Sequence, residues 1–182
     1  NPAADAFWRR NLLAYRALGI EGFKLDFAED VVAGLSGSRG NWTFFDGSTE
    51  KTMHAQYTRL YHRAYRATLG DLDGFLIARA GKWGSQQTGL VIWPGDIDAT
   101  LTKFAEAFTD RSGKRVVGVG GLPSAVRAGQ SLSMSGFPFF GADTGGYRHS
   151  PPDKETFMRW VSQSALSTVM QTGDSSSQPP WV

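Results

Sequence analysis

Lys24 and Asp26 have the clearest chemical potential, and they lie in a short apolar segment, residues 22–27. If that segment is a strand, its period of two places them on one face, opposite three apolar side chains: Phe23, Leu25 and Phe27. A neighbouring cation favours the ionised form of a carboxylate, the form that attacks as a nucleophile. The same pair in a buried strand could equally serve only to fix the strand's position.

Asp96 follows a second apolar segment, residues 91–93, after the turn residues Pro94 and Gly95. A Gly-Asp pair after a strand is often only turn chemistry. Together with Asp26, however, it supplies a pair of carboxylates at two strand ends. Glycoside hydrolysis uses such a pair, because one group attacks the anomeric carbon while the other protonates the leaving oxygen.

Helical and strand-like segments alternate along the chain. Helices are predicted at residues 5–18, with Asp5 as N-cap, 49–69 and 152–164, and strands at residues 22–27, 74–78, 89–93, 137–141 and 168–170. Residues 31–47 read as a loop, and helical or irregular structure is expected between 93 and 133. Alternation predicts parallel strands with right-handed helical crossovers, in a doubly wound sheet or a (β/α)8 barrel. No glycine-rich nucleotide-binding motif opens a helix, which weakens the first alternative.

Charged residues stand at the carboxyl ends of the predicted strands: Asp26, Arg79, Asp96 and Asp143. In barrels that is the face where chemistry takes place. Only five strands can be counted, so a closed barrel needs about three more. The prediction is therefore an α/β fold, a partial (β/α)8 TIM barrel of about five of eight units. Residues 1–182 would form a single partial catalytic domain of a longer chain, which supplies the remainder of the barrel.

Charge and composition argue against several classes of partner. The 19 basic and 17 acidic residues are spread along the chain, so nucleic acid is not an expected partner. No apolar stretch approaches the roughly 20 residues that span a bilayer, so no membrane is expected either. The chain has no cysteine, and His54, His62 and His149 are not spaced as a ligand set, so no metal site is predicted.

Four segments, in order, are similar to motifs of glycoside hydrolase family 31. Residues 22–29 resemble its Lys-x-Asp-x-x-Glu nucleophile segment, and residues 79–81 with 84–86 resemble its arginine-containing strand-five loop. Residues 93–96, Trp-Pro-Gly-Asp, resemble the acid/base motif, and residues 136–147 resemble a glycine-rich segment ending in Asp-x-Gly-Gly-aromatic. The resemblance identifies the predicted strands as the fourth to eighth of the family's barrel.

This resemblance implies a retaining α-glycosidase that needs no cofactor and cleaves a terminal α-linked glucose- or xylose-type sugar from its carbohydrate substrate. Asp26 would form the covalent glycosyl intermediate, and Asp96 would act first as acid and then as base. Four further residues would bind the substrate: Lys24, Arg79, Trp93 and Asp143. Arg79 would bond to sugar hydroxyls, Trp93 would wall the subsite of the cleaved sugar, and Asp143 would bond either to Arg79 or to the sugar.

Two departures from the family pattern leave other readings open. The family's eighth strand carries Met-Arg-x-His-Gly, whereas this chain reads Met170-Gln171-Thr172-Gly173, and residues 97–122 form a longer span than usual. The alternatives are a carbohydrate-binding pseudoenzyme that does not turn over and a barrel enzyme that binds magnesium through Asp26, Glu29 and Asp96.

Overall fold

The computed structural model describes residues 1–29, 31–32, 42–71 and 74–173, so most of the predicted 31–47 loop lies outside the described residues. The chain divides into two compact units, Asn1–Ile92 and Trp93–Val182. The single partial domain expected over residues 1–182 stays a prediction.

Two helices frame the first unit. Helix α1 spans Pro2–Ala17, and its N-cap is Asn1, whose side chain accepts a hydrogen bond from the Ala3 amide. The prediction of Asp5 as N-cap is wrong: proline at the first helical position starts the helix earlier, and Asp5 pairs with Arg9 one turn on. Helix α2, Glu50–Leu69, has Thr49 as its N-cap, in agreement with the predicted helix at 49–69, and ends at Gly70, whose φ is +58°.

A parallel sheet forms the core of this unit, in the order β1 (Phe23–Leu25), β2 (Leu76–Ala78), β3 (Val91–Ile92). Leu25 pairs with Ala78, and Ala78 pairs with Ile92. All three strands lie within predicted segments and are shorter than predicted. A 3₁₀ helix, Ser85–Thr88, occupies the connection from β2 to β3. The carboxyl ends of adjacent parallel strands thus lie side by side.

The second unit contains an antiparallel hairpin of β4 (Ala107–Thr109) and β5 (Arg115–Val117), followed by helices α3 (Leu122–Met134) and α4 (Lys154–Ser164). Its apolar core comprises Ile97, Ala125, Ala142 and Trp160, all buried. No helix in the described part of the chain is both long and apolar enough to cross a membrane.

Three predictions about local structure in this unit are wrong. Residues 107–117, expected to be helical or irregular, form the β4–β5 hairpin. Within the described residues, the strands predicted at 137–141 and 168–170 are not formed, and an isolated parallel bridge joins Asp143 to Gln171. Pro138 cannot donate to a strand ladder, which accounts for the lost pairing near it. The barrel strand count also stays a prediction.

Candidate active site

Asp26 lies where β1 ends in an unusual turn. The next two residues, Phe27 and Ala28, have φ of +59° and +79°, left-handed values that cost about 1–2 kcal/mol for each non-glycine residue. The Phe27 amide donates to Asp26 Oδ1 at 2.8 Å, and Thr58 of α2 donates to the Ala28 carbonyl at 2.7 Å. The predicted alternation of the strand therefore stops at Leu25: Phe27 does not join the helix-facing side and is 47% exposed.

The Arg79 guanidinium holds this turn in place. Its Nη1 lies 3.0 Å from Asp26 Oδ1 and its Nε lies 2.9 Å from Glu29 Oε1, while the Phe27 ring lies 4.1 Å from the guanidinium carbon. The Arg79 side chain is 14% exposed, whereas that of Asp26 is 50% exposed. A mostly covered arginine thus contacts an accessible carboxylate.

The structure explains why Arg79 and Asp26 meet. Leu25 and Ala78 are paired in the sheet, and the Arg79 amide donates to the Leu25 carbonyl at 3.1 Å. Asp26 and Arg79 each come directly after one member of this pair, so they lie side by side at the carboxyl ends of the two strands. Sequence reasoning identified Lys24 as the neighbouring cation and did not identify the Arg79 contact, although two charged residues after adjacent predicted strands were the available signal. Lys24 lies in β1 and is exposed.

Tyr61 of α2 approaches Asp26 from the helix side, and its hydroxyl donates to the Asp26 carbonyl at 3.5 Å. Burial, aided by the neighbouring Tyr65, raises the pKa of Tyr61, so the hydroxyl stays protonated as a donor. Its ring stacks on Tyr57 and meets Tyr65 edge to face. These ring contacts make the tyrosine face of α2 a packing surface.

In the second unit, the Trp93 indole donates to Asp143 Oδ2 at 2.6 Å, and both residues are 2% exposed. Asp143 is further fixed by its bridge to Gln171, whose carbonyl accepts from the Thr144 amide at 2.7 Å. A bond from Asp143 to Arg79 or to a sugar stays a prediction. The structure shows a buried hydrogen bond between Trp93 and Asp143, and this bond orients the indole and the carboxylate.

Asp96 lies in a bend just after Gly95, whose φ is +82°, and is partly exposed. The chain turns back there, with the Ile97 amide donating to the Gly95 carbonyl at 2.9 Å. The predicted Pro-Gly turn is therefore present. It leaves Asp96 on the loop that leads from β3 to α3, the type of loop that carries catalytic groups in barrels.

Asp98, two residues further on, is fully buried and was missed by the sequence reasoning. Its Oδ2 accepts from the Gly120 amide at 2.9 Å, and its Oδ1 lies 3.8 Å from Arg148 Nε and 3.6 Å from His149 Nε2. A second aspartate so close to Asp96 was the available signal. It carried no weight because the span after it was read as irregular.

No group of three or more His, Asp and Glu side chains in the described ranges is arranged to hold a metal. The three histidines have separate environments: His54 lies 3.3 Å from Lys82, His62 is buried, and His149 faces Asp98.

Comparisons with known proteins give this geometry a family. A family model described as the glycosyl hydrolases family 31 TIM-barrel domain matches residues 1–120 and 112–182. An α-xylosidase of Emericella nidulans is 32% identical over all of this chain and 21% of its own length. A sulfoquinovosidase of Escherichia coli is 28% identical over 94% of the chain and 23% of its own length.

Solved structures share the fold. The chain superimposes with a TM-score of 0.72 on a family 31 sulfoquinovosidase from E. rectale, at 24% identity over 95% of this chain and 24% of that one. The glucosidase II α subunit gives a TM-score of 0.73 at 22% identity, over 96% and 18% of the two chains. The chain thus spans about a fifth of the length of these curated relatives. Because the family model covers the chain from end to end, the prediction from the four motifs is confirmed: this chain belongs to glycoside hydrolase family 31 and to its TIM-barrel domain.

Proposed function

We propose that this chain carries the catalytic carboxylates of a retaining α-glycoside hydrolase, with Asp26 as nucleophile and Asp96 as acid/base. The observation that carries the proposal is the Arg79 guanidinium against Asp26 at the carboxyl end of a parallel strand. The guanidinium at 3.0 Å holds and orients the carboxylate, and half of the Asp26 side chain remains open to a substrate.

The proposed reaction has two displacements. Asp26 attacks the anomeric carbon and forms a glycosyl ester, while Asp96 gives its proton to the leaving oxygen as the glycosidic bond breaks. Asp96 then removes a proton from water, which attacks the same carbon and frees Asp26. Two inversions give net retention. Arg79 stabilises Asp26 as an anion and as the leaving carboxylate of the second step.

The substrate proposed is a terminal α-linked sugar of the glucose or xylose type. Two relatives are an α-xylosidase and a sulfoquinovosidase, so the sugar differs between relatives while the class of reaction is shared. Lys24 and Arg79 would bind hydroxyls at the carboxyl end of β1 and β2. Trp93 would wall the sugar subsite through a ring that Asp143 orients.

Two alternatives make different predictions. A pseudoenzyme would bind sugar without turnover. A magnesium enzyme would need Asp26 and Glu29 as free ligands, whereas the Arg79 guanidinium contacts both carboxylates. The contact of one cation with both groups favours a nucleophile oriented by arginine over a metal pair.

Labelling with a 5-fluoro-α-glycosyl fluoride tests the proposal on the protein expressed with any flanking sequence of its gene. The glucosyl, xylosyl and sulfoquinovosyl reagents are compared, and peptide mass spectrometry should find the ester on Asp26. Asp26→Ala and Asp96→Ala should each lower turnover by about 10³-fold or more, and azide should rescue Asp96→Ala with an activated substrate.

Asp5→Ala is the matched control, because it removes an exposed aspartate whose partner is Arg9 on α1. Sugar binding without label or turnover would support the pseudoenzyme, and loss of activity in EDTA would support the magnesium enzyme. Normal turnover in Asp26→Ala would refute the assignment of the nucleophile.

A further inference from the structure

The β4–β5 hairpin lies in the loop from β3 to α3. Loops that follow barrel strands lie on the face that carries the chemistry. Asp96 begins this loop, and the hairpin strands follow at Ala107–Thr109 and Arg115–Val117. The hairpin and the proposed acid/base therefore belong to the same loop.

Asp98 ties the base of this hairpin to the segment next to Asp96. Its Oδ2 accepts from the Gly120 amide, which follows β5, and its own amide donates to the Gly120 carbonyl at 3.0 Å. We call this pair of hydrogen bonds between Asp98 and Gly120 the Asp98 clamp. Since two residues span at most about 7 Å, the Asp98 backbone lies within that distance of the Asp96 backbone.

The loop before α4 closes the clamp from the other side. Arg148 and His149 bring cationic or polar nitrogens to 3.8 and 3.6 Å from Asp98 Oδ1, and the Arg148 carbonyl accepts from the Ala99 amide at 2.7 Å. The His149 ring also meets Phe108 of β4 edge to face, with centroids 5.2 Å apart. Two separate loops are thus joined at one fully buried carboxylate.

Backbone geometry shows that this arrangement is tightly specified. Ala105 and His149 have φ of +60° and +61°, values that cost energy in residues with a side chain. Gly118 leaves no room for a Cβ, which would collide with Asp98 Oδ2 and lie 2.9 Å from the Phe108 ring. Two residues with unfavourable φ and one position that admits only glycine persist together only when the surrounding structure holds them in place.

We propose that Asp98 is a positioning residue that fixes the hairpin beside Asp96, so that the hairpin forms the subsite for the leaving-group sugar. The inference rests on the proposed role of Asp96. An acid that protonates the leaving oxygen must lie next to the leaving group. The β4–β5 hairpin is held by Asp98, two residues after Asp96, so we place the hairpin next to the leaving group as well.

Phe104 is the side chain that we assign to contact that sugar. It is 72% exposed, and its amide nitrogen would lie 2.9 Å from a Cβ at Gly120, which puts it at the hairpin base beside the Asp98 clamp. An exposed aromatic ring at a carbohydrate site packs against the apolar face of a pyranose. The ligand class is therefore a sugar ring in the leaving group.

The test compares two leaving groups in the protein expressed with its flanking sequence. Fluoride is too small to occupy a sugar subsite, whereas the glucose released from an α-(1→6)-linked disaccharide fills it. Phe104→Ala and Asp98→Asn should each lower the ratio of kcat/KM for the disaccharide to kcat/KM for the glycosyl fluoride by about tenfold. Transfer to an added acceptor sugar should fall relative to hydrolysis by a similar factor, because the acceptor uses the same subsite.

Leu166→Ala is the control for Phe104→Ala, since Leu166 is 85% exposed and follows α4; it should keep the wild-type ratio. A ratio within about twofold of wild type in Phe104→Ala would overturn the inference, and this exposed site decides the matter if Asp98→Asn fails to fold. If wild type hydrolyses no glycosyl fluoride and takes no label at Asp26, the proposed function itself has failed. Turnover of the fluoride with an unchanged ratio refutes only the leaving-group subsite.

Discussion

Trp93→Phe isolates the buried hydrogen bond of the second unit. The indole nitrogen lies 2.6 Å from Asp143 Oδ2, and both residues are 2% exposed, so water cannot readily replace the lost donor. Phenylalanine keeps an aromatic ring in the same place. The substitution therefore removes the donor and part of the ring volume while leaving the carboxylate buried.

The expected cost follows from those two losses. A hydrogen bond to a charged group contributes about 1.5–3 kcal/mol, and the smaller ring leaves a void that costs about 1 kcal/mol. The free energy of unfolding should fall by about 2–4 kcal/mol. Trp83→Phe, the same substitution at a side chain that is 90% exposed, should change it by less than about 0.5 kcal/mol.

Urea unfolding followed by far-ultraviolet circular dichroism measures the cost without relying on tryptophan fluorescence. Hydrogen exchange of residues 141–147 then reports whether the loss is local to Asp143. In an Asp143→Asn background, Trp93→Phe should cost about 1 kcal/mol less, because the acceptor is no longer charged. Equal costs for Trp93→Phe and Trp83→Phe, or additive costs with Asp143→Asn, would refute this account of the pair.

Two further predictions concern the first unit. Burial lowers the pKa of His62 to about 4 in the folded state, whereas the pKa is about 6.5 in the unfolded state. As the pH falls, the unfolded state therefore binds the proton first. The free energy of unfolding is highest above about pH 6.5 and falls by roughly 3 kcal/mol as the pH drops to about 4. His62→Leu should flatten that slope in urea unfolding at several pH values, and an unchanged slope would contradict it. Arg79→Lys should lower kcat/KM by about 10–100-fold, because lysine lacks the planar guanidinium that contacts both Asp26 and Glu29. The control Arg9→Lys on α1 should have little effect on kcat/KM. Equal kcat/KM values in the two variants would contradict the role of Arg79 in the site.

The parallel strands of the first unit could be predicted because each is an apolar segment bounded by glycine or a turn. Gly74 and the charged Asp26 and Arg79 mark where β1 and β2 begin or end. The Arg79–Asp26 contact depends on strand register, which no local pattern contains. Sequence reasoning thus placed both residues at strand ends without identifying them as partners.

The β4–β5 hairpin could have been predicted from its turn. Asp110 accepts hydrogen bonds from the amides of Ser112 and Lys114, and Gly113 has φ of +82°, the chemistry of a tight turn between two apolar pairs. The attachment of the hairpin to Asp98 could not have been predicted, because the burial of Asp98 depends on the loop before α4, which is distant in sequence. Sequence shows the turn, and tertiary packing shows what the turn is attached to.

The absence of a histidine from residues 170–173 is connected to the packing of Asp143. Gly173 stands where the family pattern Met-Arg-x-His-Gly has histidine, and a Cβ on it would lie 2.6 Å from Asp143 Oδ1 and 3.1 Å from the Tyr147 ring. A histidine could enter only if Asp143 moved and strained its bond to Trp93. The departure is therefore coupled to that buried bond.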